Sequence, residues 1–517
     1  MAGDLDPVSS ELDRAVDELL ARHATVGLAV GVIRTGEPTW FRAHGVADVP
    51  SQAPITEDTV FRIASITKTL TAISVMQLVE RGLIDLDAPA NTYLRAYKLV
   101  PDDPDWAPAT IRHLLTHTAG LGELAHPSGA FRPDFGESVP AGERLPSAGE
   151  FYRSALAVRA EPGTRFVYTN HAPTTLGQIV EDVTGTPLAE YAAEHVFGPI
   201  GMTSSSLSRT ESVAAGLATG YEIGRGGVKR IAERDMVTTG AASAFSTPRD
   251  MARYAAVLLN QGRTANGSVL TPDALAAMFA PQFQPDPRIP GMGLGFFRAE
   301  IAGHAAVRHQ GTHPGFHSEL CVVPDAGLAV IAFTNGAEQA DLWLPAEVAV
   351  LAGRVLGESG ARLPAAPSDP SRWRERCGWY RLAARASDIR LRAMLGFGAE
   401  VFVDDGRLMV RFLAVVPSLL RGFPLVPADP DDPDVFRILF GASGLQSMGV
   451  VFGRTAAGRP CLHLDLMPLT LEKQPARTNP RRWAVAALTA GAVAAAALTG
   501  AAVRRRRRPS ERATPPS

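Results

Sequence analysis

Ser65 and Lys68 stand three residues apart in Phe61-Arg-Ile-Ala-Ser65-Ile-Thr-Lys68, a spacing at which two side chains share one face of a helix. A serine hydroxyl is a poor nucleophile at neutral pH and needs a base within hydrogen-bond reach. Lysine can be that base when burial destabilises its ammonium; arginine cannot, because its guanidinium does not give up its proton. To act near pH 7 the amine must fall from about 10.4, a differential cost to the charged form of roughly 4 to 5 kcal/mol. The positive end of a helix starting here also favours an oxyanion near Ser65. The chain carries 47 arginines and only four lysines, a pattern of GC-rich bacterial coding, so a lysine kept beside a serine is informative. One Ser-x-x-Lys is nonetheless a weak signal, and its company decides.

Two further clusters supply that company. Tyr168-Thr-Asn170 follows Glu161-Pro-Gly163 and precedes a helical pattern. A phenol near a lysine can shuttle a proton, and an amide can hold a substrate or orient the lysine. The plainer alternative is a core tyrosine with Asn170 as a helix N-cap. The third cluster is His309-Gln-Gly311-Thr-His313-Pro-Gly315-Phe-His317. Histidines at intervals of four invite a zinc reading, but Gly311, Pro314 and Gly315 forbid a regular helix, and no glutamate follows His309 as in His-Glu-x-x-His. The expectation is no metal and no organic cofactor, with His309-x-Gly311 at a strand end lining a cleft.

Elements must bring these clusters together. The pattern predicts an amphipathic helix over 9–23, with Leu12, Val16, Leu19 and Leu20 on one side. Strands over 26–34 and 39–46 follow. A helix over 65–81 is apolar on most of its circumference and therefore buried. Residues 111–115 and 172–184 read as helices, 120–146 as a run of loop formers, and 307–311, 316–323 and 328–334 as strands. Strands at both ends with helices between predict an α+β domain with one antiparallel sheet. A Pro/Ser/Ala/Arg-rich linker spans 358–374. Beyond it, short strands over 379–382, 399–403, 407–412, 437–440, 449–452 and 461–466 predict a small β-barrel or sandwich within 375–475.

The 517 residues exceed one ordinary domain, and 46% hydrophobic content suffices for a large core. A net charge of −2 gives no basic field for nucleic acid. Three cysteines cannot form a disulfide framework, although Cys377 and Cys461 could pair. The 21 positions 483–503 contain no charged residue, long enough for a single-pass transmembrane helix, and Arg504 to Arg508 open a basic tail over 504–517. The expected topology is a bacterial cell-membrane protein with its catalytic domain outside, against which stands an N-terminus without signal-peptide character.

With Phe61-Arg-Ile-Ala-Ser-Ile-Thr-Lys-Thr69, His113-Leu-Leu-Thr-His-Thr-Ala-Gly-Leu121, Tyr168-Thr-Asn170, Gly198-Pro-Ile-Gly-Met-Thr203, Phe245-Ser-Thr-Pro-Arg-Asp250 and His309-Gln-Gly311 in this order, residues 10–356 resemble the serine β-lactamase and penicillin-binding-protein superfamily. The likeness is stronger to its class C-like branch of esterases, D-aminopeptidases and D,D-peptidases. The resemblance implies an antiparallel sheet flanked by helices with an all-helical subdomain over 8–357, and a lipocalin-like accessory barrel. It also implies Ser65 as the acylated nucleophile, Lys68 as its base and Tyr168 in proton transfer. Asn170 would contact substrate and lysine, and the N–H groups of Ser65 and Thr312 would form the oxyanion hole. His309 and Gly311 would line the substrate site, and Thr116-His117-Thr118 would be structural support off the chemistry.

One departure matters. Dedicated β-lactamases usually carry Lys-Thr-Gly where this chain has His309-Gln310-Gly311. A histidine mostly neutral at pH 7 is a weaker anchor for a substrate carboxylate, which moves the expectation toward hydrolysis of esters or small amides. The alternatives are a peptidoglycan D,D-peptidase, a D-aminopeptidase or weak β-lactamase, and a non-catalytic membrane-tethered scaffold. The expected partner is a small-molecule or peptide substrate.

Overall fold

Helix α1 (Pro7–Arg22) leads into strands β1 (Gly27–Arg34), β2 (Trp40–Asp48) and β3 (Ala53–Pro54). The computed structural model describes residues 7–357 except 38 and 133, then 370–382, 396, 398–413, 417–440 and 446–483. More than two hundred residues later come β4 (Phe297–Ile301), β5 (His304–His313), β6 (Phe316–Val323) and β7 (Leu328–Thr334). All seven join one antiparallel sheet in the order β4-β5-β6-β7-β1-β2-β3. The early and late strands of this unit meet where β1 pairs with β7, from Leu28 opposite Thr334 to Arg34 opposite Leu328. Both strands are almost wholly buried, so each is an apolar run rather than an alternating one.

Helices cover both faces. On one lie α1 and the later helix over Ala340–Val355, whose Leu12, Val16, Leu19, Leu344 and Val348 pack on Leu28, Val30 and Val330. Against the other face packs α4 (Pro248–Leu259), and the same core continues to α2 (Thr67–Glu80) and α3 (His171–Thr184), which pack on each other. Helix α2 buries eleven of its fourteen residues, charged Lys68 among them. The sequence reading starts this helix at Ser65. Instead Ala64–Ile66 forms a 3₁₀ turn and the α-helix begins at Thr67. Ser65 thus sits in the turn and Lys68 in the first turn of the helix, and their side chains still meet.

The 120–146 stretch is more than a loop. It holds a 3₁₀ turn, Pro127–Phe131, and a strand, Ser138–Pro140, that pairs with Arg234–Met236.

The C-terminal unit is a closed antiparallel barrel of eight strands: β8 (Gly378–Leu382), β9 (Ala399–Asp404), β10 (Arg407–Phe412), β11 (Phe423–Pro427), β12 (Val435–Phe440), β13 (Gln446–Arg454), β14 (Pro460–Leu464) and β15 (Leu469–Gln474). Sequence reading finds six of them. Pro424 and Pro427 mask β11, since proline argues against a paired strand, and β15 shows only a short alternation. Without β15 the barrel could not close on β8. That strand also lies between β14 and β8, with Cys461 level with Glu472 and Arg381, so Cys461 and Cys377 are separated by more than two strand spacings, over roughly 10 Å. This exceeds disulfide reach, and both cysteines are free.

The barrel packs on the catalytic unit. Phe166, Met292 and Phe297 join its apolar interior cluster. Arg288 donates to Asp432 Oδ2 at 2.9 Å and to the Phe452 carbonyl at 3.1 Å. The last part of the region read as linker is helical, Pro370–Arg376, while 358–369 lies outside the described residues. Among the described residues no helix is long and apolar enough to cross a membrane. The predicted span and basic tail lie outside them beyond Trp483.

Candidate active site

From Thr59 to Met76 every residue is buried except Ser65, so an otherwise dry segment offers one hydroxyl to solvent. The residue before it, Ala64, has a φ of +44°, a left-handed conformation costly for a residue with a Cβ. Surrounding contacts hold this geometry. Phe61–Arg62 pairs with Phe245–Ser246. The buried Arg62 guanidinium donates to Glu233 at 2.9 Å and Asp235 at 2.6 Å, and stacks on Phe245. Ser318 Oγ donates to the Ile63 carbonyl at 2.9 Å. Gly311, opposite Ser318 on β5 and β6, lies so close that a Cβ on it would stand 2.1 Å from the same carbonyl.

Lys68 Nζ donates to Ser65 Oγ at 2.8 Å, Asn170 Oδ1 at 2.9 Å and the Ala241 carbonyl at 3.0 Å. Two of these acceptors are carbonyl oxygens that can only accept. They fix two of the amine's N–H directions, so the remaining tetrahedral position faces Ser65, as a third proton in the ammonium or as a lone pair in the amine. That is the geometry a base needs. Tyr168 lies beside this amine, with Nζ 4.9 Å from its ring centroid. Its ring also packs on His117 at 4.6 Å and Phe297 at 6.1 Å.

Asn170 occupies the cap position of α3, yet its side chain makes no cap hydrogen bond. Its amide bridges Lys68 and Glu137 instead, donating to Glu137 Oε2 at 2.7 Å. The plain capping alternative therefore fails, for its polar atoms are already engaged. His117, expected to lie off the chemistry, touches the Tyr168 ring directly. Sequence reading misses Glu137 and the Ala241 carbonyl altogether, since neither sits in a motif.

His309 is fully buried beside Phe297, at 5.3 Å between ring centroids. Its Nδ1 lies 2.7 Å from the Gln310 carbonyl, which makes Nδ1 the protonated nitrogen and leaves Nε2 as an acceptor. Burial, reinforced by the Lys68 charge, pushes its pKa down to about 3. The structure thus brings Ser65, Lys68, Tyr168, Asn170 and His309 into one cluster. Thr312 lies near the end of β5 with an exposed side chain. His313 and His317 sit on β5 and β6 rather than on a helix, and no group of three metal-ligating side chains comes together among the described residues.

Buried neutral histidines predict acid sensitivity. His113, His117, His309, His313, His317 and His463 all have pKa values lowered mainly by burial. Below pH 6.5 the unfolded chain binds protons that the folded chain refuses, so stability falls as pH falls, by about 1.4 kcal/mol per pH unit for each histidine kept neutral. Three carboxyls oppose this. Glu181, Glu319 and Asp465 are raised by burial, Glu319 to about 7, so their contribution grows toward low pH. Histidines outnumber them, and urea midpoints should decrease steadily from pH 7 to pH 5; a flat or rising profile contradicts this balance.

The fold and this constellation are those of a serine hydrolase, with Ser65 and Lys68 hydrogen-bonded at the centre. The family model described as Beta-lactamase matches residues 12–352, and the chain belongs to that family. It is 30% identical over 369 residues to esterase EstB of Burkholderia gladioli, covering 65% of this chain and 92% of that one. A D-aminopeptidase of Gluconobacter oxydans is 25% identical over 430 residues, 82% of this chain and 74% of its own. Among solved structures, the octameric penicillin-binding protein homologue of Pyrococcus abyssi superposes with a TM-score of 0.56 at 22% identity, over 90% of this chain and 99% of that one.

Proposed function

We propose that this chain hydrolyses esters, and more slowly small amides, through an acyl-enzyme on Ser65. Lys68 as the neutral amine takes the Ser65 proton while Oγ bonds to the substrate carbonyl carbon. The tetrahedral intermediate expels the leaving alkoxide, which receives a proton by way of Tyr168. Water, deprotonated by the same groups, then attacks the acyl carbonyl; the bond to Oγ breaks, the acid departs and Ser65 regains its proton. The N–H groups of Ser65 and Thr312 serve as the oxyanion hole.

The observation that carries the ester reading is His309. A neutral imidazole, protonated only near pH 3, supplies no cation for the free carboxylate of a penicillin or a D-Ala-terminated peptide. The match to an esterase over 92% of its length agrees. A second reading has its own support: the D-aminopeptidase match runs over 82% of this chain, more than the catalytic domain alone, so a D-amino acid amide belongs in the test. The non-catalytic scaffold has no support in the family of enzymes the chain joins. The membrane anchor over 483–503 rests on sequence alone, and recovery of the whole chain in the supernatant of lysed native cells would refute it.

The experiment is a substrate panel of 4-nitrophenyl acetate and butyrate, D-alanine 4-nitroanilide, nitrocefin and a D-Ala-D-Ala peptide. A fluorophosphonate probe, with Ser65→Ala as control, reports the nucleophile. The expected order places the esters first in kcat/KM, with label on wild type and none on Ser65→Ala. Nitrocefin or the D-Ala-D-Ala peptide outrunning every ester would overturn the ester reading, and equal labelling of Ser65→Ala would remove the nucleophile.

A further inference from the structure

We infer that Glu137 is a positioning residue that locks the Asn170 amide with its oxygen toward Lys68; the inference rests on the Ser65 mechanism proposed above. Asn170 Oδ1 accepts from Lys68 Nζ at 2.9 Å, and its Nδ2 donates to Glu137 Oε2 at 2.7 Å. All three side chains are buried: Lys68 is 2% exposed, Asn170 6% and Glu137 1%.

An asparagine amide has two nearly isosteric ends, and packing alone distinguishes them poorly. Here the neighbours do so by chemistry. A flipped Asn170 would set its N–H groups against the Lys68 donor and its oxygen against the Glu137 carboxylate. Both contacts would be repulsive and neither could be relieved by water in so buried a place. A carboxylate imposes this sign rule where a neutral amide at the same position would not, because glutamine can present either end.

Glu137 is itself held firmly. Its N–H donates to the Asp134 carbonyl at 3.0 Å, its carbonyl accepts from Val237 N at 2.8 Å, and the strand that follows pairs with Arg234–Met236. His171 Nε2 stands 3.9 Å from its other carboxylate oxygen. His171 donates from Nε2 to the Glu123 carbonyl at 3.0 Å, and its Nδ1 accepts from the Tyr152 hydroxyl at 2.9 Å. The loop over 120–146 therefore reaches the nucleophile's base through two hydrogen bonds, without touching Ser65.

The consequence is that Glu137 acts through Asn170. With 4-nitrophenyl butyrate, Glu137→Gln is expected to lower kcat roughly 10- to 100-fold, the scale of partners that orient a reacting group, with KM changed less than about threefold. In an Asn170→Ala background the same substitution should cost nothing more. Equal losses in both backgrounds would mean general structural damage and overturn the inference, as would an unchanged kcat. A second measurement does not depend on the folding of Glu137→Gln. The Asn170 side-chain NH₂ resonances, assigned by their loss in Asn170→Ala, should be strongly protected from solvent exchange in wild-type protein; exchange as fast as an exposed amide would overturn the lock. Absence of a fluorophosphonate adduct on wild type would sink the Ser65 mechanism instead, and the exchange measurement would still decide the amide.

Discussion

Lys68→Arg is expected to reduce kcat/KM for 4-nitrophenyl butyrate by at least about 10³-fold, and to slow fluorophosphonate labelling of Ser65 in parallel. The substitution preserves charge, which makes it the sharper test. Lys68 is 2% exposed and its three hydrogen-bond directions are already assigned to Ser65, Asn170 and Ala241. Arginine there would carry a planar fork in place of a tetrahedral amine and would present only donors to Ser65 Oγ, with no lone pair to receive its proton. A cation that merely stabilises developing negative charge would survive the exchange; a base would not. Retention of more than about a tenth of the activity would show that Lys68 acts electrostatically and that the Ser65 proton leaves by another route.

Gly311→Ala should be nearly as damaging for a different reason. The added methyl would meet the Ile63 carbonyl oxygen at 2.1 Å and Ser318 Oγ at 2.3 Å. Ser318 could rotate away, but the carbonyl belongs to the backbone two residues before Ser65 and accepts the Ser318 hydroxyl. Relief requires β5 to separate from the 3₁₀ turn that carries Ser65. Overpacking of this kind costs about 1 to 3 kcal/mol or more, and a displacement of about 1 Å at a reacting group costs about 100-fold in rate. A lowered thermal midpoint together with a kcat/KM loss on that scale is expected with the same ester. Native-like melting and activity would mean that the strand and the turn can part without consequence.

The two cases differ in how much of them was visible beforehand. Lys68 was legible in the sequence because serine and lysine lie three residues apart on a strongly apolar helix, and a local spacing translates directly into a shared face. Gly311 was read as part of a strand end lining a cleft, but its contact with Ile63 depends on two segments brought together by the sheet. Asn170 shows the boundary within one residue. Its place at the start of α3 could be read, but whether its amide capped the helix or served Lys68 could not, for both need the same residue type.

The barrel repeats the contrast. Its alternating strands were partly visible, yet proline-bracketed β11 and short β15 became strands only because closure supplies both of their edges with partners. Its attachment at Arg288 and Phe297 has no periodic signature.

By itself the sequence determined the α+β class of the catalytic unit, the buried helix that carries Lys68 and the residue types able to do acyl-transfer chemistry, because side-chain chemistry and periodicities of two and 3.6 are local properties. The tertiary structure alone decided that the Ala241 carbonyl, 173 residues from Lys68, holds the Lys68 amine beside Ser65. It alone placed Glu137, 33 residues from Asn170, against that amide, and kept His309 neutral by burying it. These depend on which distant groups share a dry interior, where hydrogen-bond direction and the cost of charge are set by neighbours that no local pattern specifies.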